Sequence, residues 1–122
     1  MILLDTSVWI DHTRENNDHL FELLKAGKIL IHPFMIGEVV LDSLGDHDKI
    51  IACLLEMPRP NVASETDVLS LIKNRFLAGS GIGYADAHLL ASTRLTPESL
   101  LWTRDTRPKR VAQAMDAAYR VP

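Results

Sequence analysis

The sequence has few of the features that mark secreted or membrane-bound proteins. It contains a single cysteine, Cys53, so no internal disulfide can form, and this usage fits a reducing compartment without a zinc cluster. Its apolar runs are far shorter than the roughly 20 residues that a membrane helix needs. The N-terminus lacks the basic start of a signal peptide, with an acid at Asp5. We therefore expect a soluble, cytoplasmic protein.

The sequence also lacks an excess of positive charge. It has 13 Lys and Arg against 16 Asp and Glu, giving a net charge of −3. A nucleic-acid role would therefore need a local basic patch or a cation in an acidic site. With 122 residues, 47% of them hydrophobic and 24% charged, the composition is that of a globular chain. We expect one domain spanning residues 1–122, and a disordered tail is excluded.

Short apolar runs alternate with helical patterns, which predicts an α/β domain with a mostly parallel sheet. We expect strands at Ile2–Leu4, Ile29–Ile31 and Leu100–Thr103, at most a short strand at Asn61–Ala63, and an edge strand at Ala118–Val121. We expect helices over 8–10 with Ser7 as cap, 19–26, 34–44, from 46 or 48 through 55, 67–77 with Thr66 as cap, 84–95, and 107–116.

Four acids stand in positions that suggest chemistry. Asp5 ends the first strand and Asp105 follows the last, and ligands of parallel sheets bind at the carboxyl ends of strands. Asp86 lies in the first turn of an apolar helix, and Glu38 lies among apolar residues. Each acid alone could equally be a helix cap, a turn residue or a solvent-facing residue. An acid on a buried helix, however, needs a partner, because a bare buried charge is very costly.

If these four carboxylates met in one place, they would repel each other strongly. A hard divalent cation would resolve the repulsion, since Mg²⁺ prefers oxygen ligands and keeps several waters. Such a cation can activate water and stabilise charge on a phosphoryl group. The acids therefore favour metal-dependent phosphodiester hydrolysis, provided that they converge.

Four segments of the sequence resemble the motifs of one family. They are MILLDTSVWIDHTR at 1–14, HPFMIGE at 32–38, GIGYADAHLLA at 81–91 and LWTRD at 101–105. In this order and over nearly the whole chain, they resemble VapC-type toxins, which are PIN-domain ribonucleases.

The resemblance implies an α/β/α sandwich and an endoribonuclease that depends on Mg²⁺ or Mn²⁺ and uses metal-bound water to attack a phosphodiester. Carried over by position, the catalytic and metal-binding residues are Asp5, Glu38, Asp86 and Asp105, and Thr6 or Ser7 supports Asp5 or touches the phosphate. The resemblance also implies the toxin of a type II toxin–antitoxin pair. Its partners would be RNA, a VapB-type antitoxin and a second copy in a homodimer, with operator DNA bound only through the antitoxin.

A basic cluster lies beside the last acid. Arg104, Arg107, Lys109 and Arg110 fall within seven positions. They could bind RNA phosphates, which dominate nucleic-acid affinity, or they could form the solvated start of a helix. Both interpretations stay open.

Three other functions have some of the same sequence requirements. A phosphatase with Asp5 as nucleophile needs a second acid two positions on, where this chain has Ser7. A phospho-receiver domain needs an acidic pair after the first strand and a late lysine, and neither stands where it should. A PIN-like module that binds RNA or protein without catalysis remains the alternative. The presence of all four acids disfavours this alternative without excluding it.

Overall fold

The computed structural model describes residues 1–43 and 45–122, with the side chains of residues 13 and 14 left aside. At its centre is a parallel sheet of three strands, β1 (Ile2–Leu4), β2 (Ile29–Leu30) and β3 (Leu100–Trp102), in the order β2-β1-β3. Ile2 of β1 pairs with Ile29 on one side and with Leu100 on the other. Because β1 is central and apolar throughout, its three residues are all buried.

Seven helices surround the sheet within the described residues. They are α1 (Thr6–Arg14), α2 (Asp18–Lys25), α3 (Pro33–Asp42), α4 (His47–Glu56), α5 (Glu65–Asn74), α6 (Tyr84–Leu95) and α7 (Thr106–Ala114). Helices α1 and α2 connect β1 to β2, whereas α3 to α6 connect β2 to β3 on the far side of β1. Right-handed crossovers in opposite directions place these two groups on opposite faces of the sheet. The predicted α/β/α fold is confirmed.

Helix α6 is the most deeply buried helix of the described chain. Its bounds match the prediction, and every residue from Ala87 to Thr93 is buried. It packs against α5, α7 and β3. Because the buried stretch begins directly after Asp86, that acid is carried on a helix that the core holds firmly.

Two predicted helix caps are wrong. Helix α1 begins at Thr6, not after Ser7, and the Ser7 hydroxyl donates to the Asp5 carboxylate instead of capping the helix. Helix α5 begins earlier than predicted, because Ser64 and Asp67 form a reciprocal capping box, and Thr66 lies inside the helix. The left-handed backbone at Phe76 follows the end of α5, short of the predicted end at Leu77.

The predicted secondary structure between the main elements also needs correction. Asn61–Ala63 forms no strand. Its hydrogen-bonding groups are satisfied instead by side chains and a carbonyl of α6 and its C-cap, as in the bond from the Ala63 N–H to Ser92 Oγ. The predicted edge strand at Ala118–Val121 is reduced to one parallel bridge between Ala118 and Leu101.

Several predicted ends also shift. Strand β2 stops at Leu30 and β3 at Trp102, α3 begins at Pro33, and α7 begins at Thr106 and ends at Ala114. The predicted end of the third helix at Leu44 lies outside the described residues. Among the helices that the structure describes, none is both long and apolar enough to cross a membrane.

Candidate active site

The four predicted acids line one open cavity at the carboxyl ends of β1 and β3. Its volume is about 460 Å³, and it is lined by Asp5, Thr6, Ser7, Ile10, Glu38, Asp42, Gly83, Tyr84, Ala85, Asp86 and Asp105. The acids come from four separate parts of the chain, namely the end of β1, the middle of α3, the first turn of α6 and the residue before α7. The fold therefore brings together all four acids that the sequence singled out.

Asp5 is fixed by hydroxyl groups. The residue is 6% exposed. Its Oδ2 accepts hydrogen bonds from Ser7 Oγ at 2.7 Å and from Thr103 Oγ1 at 2.8 Å, and its Oδ1 lies 3.4 Å from Thr6 Oγ1. Although Asp5 occupies the N-cap position of α1, its carboxylate makes no capping bond to the helix. The hydroxyls instead hold the carboxylate at the cavity.

Glu38 is linked to the same network through Thr6. The Thr6 hydroxyl donates to Glu38 Oε2 at 2.9 Å and also lies 3.4 Å from the sulfur of Met35. The buried Thr6 hydroxyl thus lies between the carboxylates of Asp5 and Glu38. This contact orients Glu38 toward the cavity and away from the solvent face of its helix.

Asp105 is both a helix cap and a cavity residue. Its Oδ1 accepts from the backbone N–H of Arg107 at 3.2 Å, as an N-cap of α7. Its own N–H donates to Thr103 Oγ1 at 3.1 Å. Thr103 therefore links the two strand-end acids, since its hydroxyl donates to the side chain of Asp5 and accepts from the backbone N–H of Asp105.

Burial and the neighbouring acids change the pKa of Asp86. Burial, followed by repulsion from Asp5 and Asp105, raises the pKa of Asp86 to about 6. Glu38 adds to the repulsion, and a hydrogen bond with the backbone of Gly83 opposes it. Because the cavity lining of the described residues contains no cationic side chain, this negative charge has no internal counterion.

The donor set of the cavity fits a hard divalent cation. Across the described residues, no three Asp, Glu, His or Cys side chains converge closely enough to hold an ion between them as they stand. Mg²⁺ does not need such a cage, because it commonly takes one or two carboxylates and keeps several waters. Carboxylate oxygens around an open cavity of about 460 Å³ meet that requirement, as they would for Mn²⁺.

The predicted substrate-binding residues divide into three groups. Thr6 and Ser7 line the acidic cavity. None of the four basic residues does. Arg104 pairs with Asp11 at 2.7 Å and lines a different cavity together with Lys109.

The other two basic residues point to different surroundings. Arg107 donates to the carbonyl of Gly81 at 3.2 Å, and Arg110 is exposed on α7. Gly81 has a φ of 85°, which favours glycine, and a Cβ there would stand 2.6 Å from the Arg107 guanidinium. Arg107 therefore ties the start of α7 to the glycine loop that precedes Asp86.

Two residues of the site were missed by sequence reasoning. Thr103 is predicted as the end of the last strand and has no predicted role, yet its hydroxyl bonds Asp5 across 98 positions of sequence. The available signal was a hydroxyl residue at a strand end, two positions before an acid. Asp42, one turn after Glu38, also lines the cavity. Its spacing of four residues on the same helix could have revealed it.

The sequence of this chain is similar to those of known proteins. Residues 2–114 match the PIN domain. Two curated relatives carry the name Ribonuclease VapC32, one from Mycobacterium tuberculosis strain CDC 1551 / Oshkosh and one from strain ATCC 25618 / H37Rv. Each is 41% identical to this chain over 109 residues, which cover 89% of this chain and 88% of the relative.

Proposed function

This chain belongs to the PIN-domain family as a VapC-type member, and from that premise we propose that it is a metal-dependent endoribonuclease, the toxin of a type II toxin–antitoxin pair. The observation that carries the proposal is that Asp5, Glu38, Asp86 and Asp105 line one cavity. The raised pKa of Asp86 supports it, because it reflects first burial and then repulsion from Asp5 and Asp105. A phosphodiester reaction at a bound Mg²⁺ or Mn²⁺ makes use of this charge.

In the proposed reaction, Asp5 and Asp86 are the firmest ligands of the divalent cation, with Glu38 and Asp105 completing the acidic set. Bound there, the cation would supply activation of water and neutralisation of phosphate charge. The hydroxyls of Ser7 and Thr103 keep the Asp5 carboxylate turned to the cavity. One of the carboxylates accepts the proton that the attacking water loses.

Two further residues fit roles in this reaction. Thr6 holds Glu38 in place through its hydroxyl, and its position in the lining lets it contact a phosphate oxygen as well. Asp105 is held at the cavity by its capping bond to α7. Since preorganised groups avoid reorganisation at the moment of reaction, this network is what the fold contributes to catalysis.

The experiment is cleavage of purified total RNA by the full chain with Mg²⁺, with EDTA, and by the Asp5→Asn variant with Mg²⁺. Discrete cleavage that needs both the cation and Asp5 is the expected result. The matched control is Asp48→Asn, which neutralises an exposed acid on α4 outside the cavity and should cleave as the unmodified chain does.

The alternative is a PIN-like module that binds RNA or protein without cutting. It predicts no cleavage by any sample and no growth arrest when the chain is produced in cells without an antitoxin. Equal cleavage by Asp5→Asn and the unmodified chain would instead point to a contaminating nuclease and contradict the proposed site.

The partners follow from the same proposal. We expect a VapB-type antitoxin that covers the acidic cavity, a homodimer, and contact with operator DNA only through the antitoxin, all in the cytoplasm. Exposed apolar side chains offer surface for these contacts, among them Phe34, Leu41 and Tyr84. Leu41 is 85% exposed and lies on α3, the helix that carries Glu38.

A further inference from the structure

A second cavity, of about 430 Å³, lies beside the carboxyl end of β3. It is lined by Trp102, Thr103, Arg104, Lys109, Gln113, Ala118, Tyr119, Arg120 and Val121. Three of these residues are cationic, and none of this described lining is a carboxylate. In a chain with a net charge of −3, the cavity is a local reversal of charge. We call it the basic cavity.

The basic cavity is built on a packed aromatic cluster. The rings of Trp102 and Tyr119 lie 5.2 Å apart between centroids, and His19 stacks on Tyr119 at 5.9 Å. The His19 ring and the Tyr119 hydroxyl are also hydrogen-bonded. The backbone N–H of Tyr119 donates to Leu101 at 2.8 Å, which ties this wall of the cavity to β3. The cavity is therefore formed before any ligand arrives.

Two of its cations are available to a ligand. The guanidinium of Arg104 is held by Asp11 at 2.7 Å. The side chains of Lys109 and Arg120 are exposed, and the structure gives them no hydrogen bond or ion pair with any described residue. An anion can therefore bind both without first breaking an internal pair.

The basic cavity adjoins the acidic one through three consecutive residues. Thr103 lines the basic cavity and donates to Asp5 in the acidic cavity at 2.8 Å. The N–H of Arg104 donates to Ser7 Oγ at 3.1 Å, and Asp105 lines the acidic cavity. An extended segment of three residues reaches roughly 10 Å, so one strand of nucleic acid can occupy both cavities.

Resting on the proposed ribonuclease function, we propose that the basic cavity binds backbone phosphates of single-stranded RNA next to the bond that is cut. Lys109 and Arg120 are the phosphate-binding side chains. The acidic cavity alone repels a polyanion, so the RNA needs a nearby positive surface to be held. Phosphate contacts by Lys and Arg supply most of the affinity of a protein for nucleic acid and fix its register.

The test is the binding of a fluorescently labelled single-stranded oligoribonucleotide in EDTA, followed by anisotropy across a range of salt concentrations. We compare the full chain with the double variant Lys109→Gln/Arg120→Gln. The matched control is Lys73→Gln/Arg75→Gln, which removes two exposed charges outside the basic cavity. Thermal unfolding of all three proteins checks that they are folded.

The expected result is a loss of affinity of about tenfold or more for Lys109→Gln/Arg120→Gln and a small loss for the control. Each phosphate contact to a single strand contributes about 0.7 to the salt slope, so the slope should fall by about 1.4. Equal losses in both double variants would overturn the proposal, because they would show only a general charge effect. Absence of binding by the unmodified chain would overturn it too.

Cleavage with Mg²⁺ separates this proposal from the proposed function. Cleavage by the full chain with an unchanged KM in Lys109→Gln/Arg120→Gln would refute the RNA subsite and leave the enzyme standing. RNA binding that depends on Lys109 and Arg120, without any cleavage, would support the subsite and refute the nuclease. A double variant that keeps RNA affinity but loses affinity for a glutamate-rich peptide would mark a protein-docking cavity and refute the subsite.

Discussion

Replacing Thr103 with valine tests whether the hydroxyl network holds the site together. Valine keeps the shape of threonine and removes its hydroxyl. The change deletes the 2.8 Å bond to Asp5 Oδ2 and leaves the Asp105 N–H without its acceptor at 3.1 Å. Thr103 is 5% exposed, so water does not readily replace the lost bonds.

The structure sets the size of the expected effect. Losing a hydrogen bond to a charged group costs about 1.5–3 kcal/mol. Ser7 still donates to Asp5, so the lower half of that range applies, about 2 kcal/mol. In a chain of this size, 1 kcal/mol lowers the Tm by about 4 °C, so Thr103→Val should unfold about 8 °C lower. RNA cleavage should fall as well, because Asp5 is no longer fixed.

The matched control is Thr93→Val on α6. Thr93 is 3% exposed, and its hydroxyl donates at 2.8 Å to the neutral carbonyl of Leu89 in its own helix. That bond is worth about 1 kcal/mol or less, and its loss should leave cleavage unchanged. Calorimetry in EDTA and cleavage in Mg²⁺ measure both variants. Equal Tm shifts, or an unchanged Tm for Thr103→Val, would refute the reasoning.

Four further substitutions give distinct outcomes. Burial, followed by repulsion from Asp5 and Asp105, raises the pKa of Asp86 to about 6 from its ordinary 3.8, so the metal-free native state binds an extra proton between these pH values and loses stability as the pH rises through them. A shift of this size would be worth about 3 kcal/mol for a fully buried group, and solvent screening of the half-buried Asp86 reduces it to about 2 kcal/mol. Asp86→Asn should remove that fall in stability, and calorimetry in EDTA that shows the same pH slope in both proteins would contradict this. Burial, followed by the positive charge of His88 and Arg59, lowers the pKa of His32 to about 4, so the free energy of unfolding should rise with pH from about 4 to 6.5. His32→Asn should flatten that rise in the same calorimetric assay. An unchanged dependence of stability on pH would show that His32 does not contribute. Gly81→Ala places a side chain at a positive φ and should lower the free energy of unfolding by about 1–3 kcal/mol, as measured with denaturant. Gly37→Ala, inside α3 with open space around it, should instead raise the free energy of unfolding by about 0.5–1 kcal/mol. A change of the same sign in both variants would refute the backbone argument.

The parts of the fold that the sequence predicted are those that local pattern determines. Helix α6 is predicted correctly because Gly83 and the pair Thr96-Pro97 bound a stretch that contains neither glycine nor proline. Strand β1 was placed correctly because a short apolar run ends in an acid. The four acids were found for a related reason, since each is a charge at a position where the surrounding pattern is apolar or ends a strand.

The parts that the sequence did not predict depend on contacts between distant residues. Nothing local indicates that Thr103 donates to Asp5 or that Arg104 is taken up by Asp11, because each pair is more than 90 positions apart. The wrong cap of α5 has a local cause, since Ser64 and Thr66 both suit an N-cap and only the reciprocal bond with Asp67 decides between them. The basic cluster looked continuous in sequence, but helix geometry turns neighbouring residues to different surroundings.

The central claim is that the acidic cavity is a divalent-cation site, and anomalous diffraction from crystals soaked in Mn²⁺ tests it most directly. We predict a strong anomalous peak inside the cavity, in contact with carboxylate oxygens of Asp5 or Asp86 and absent from crystals of Asp5→Asn. No peak in the cavity at millimolar Mn²⁺, or a peak there that survives in Asp5→Asn unchanged, would contradict it.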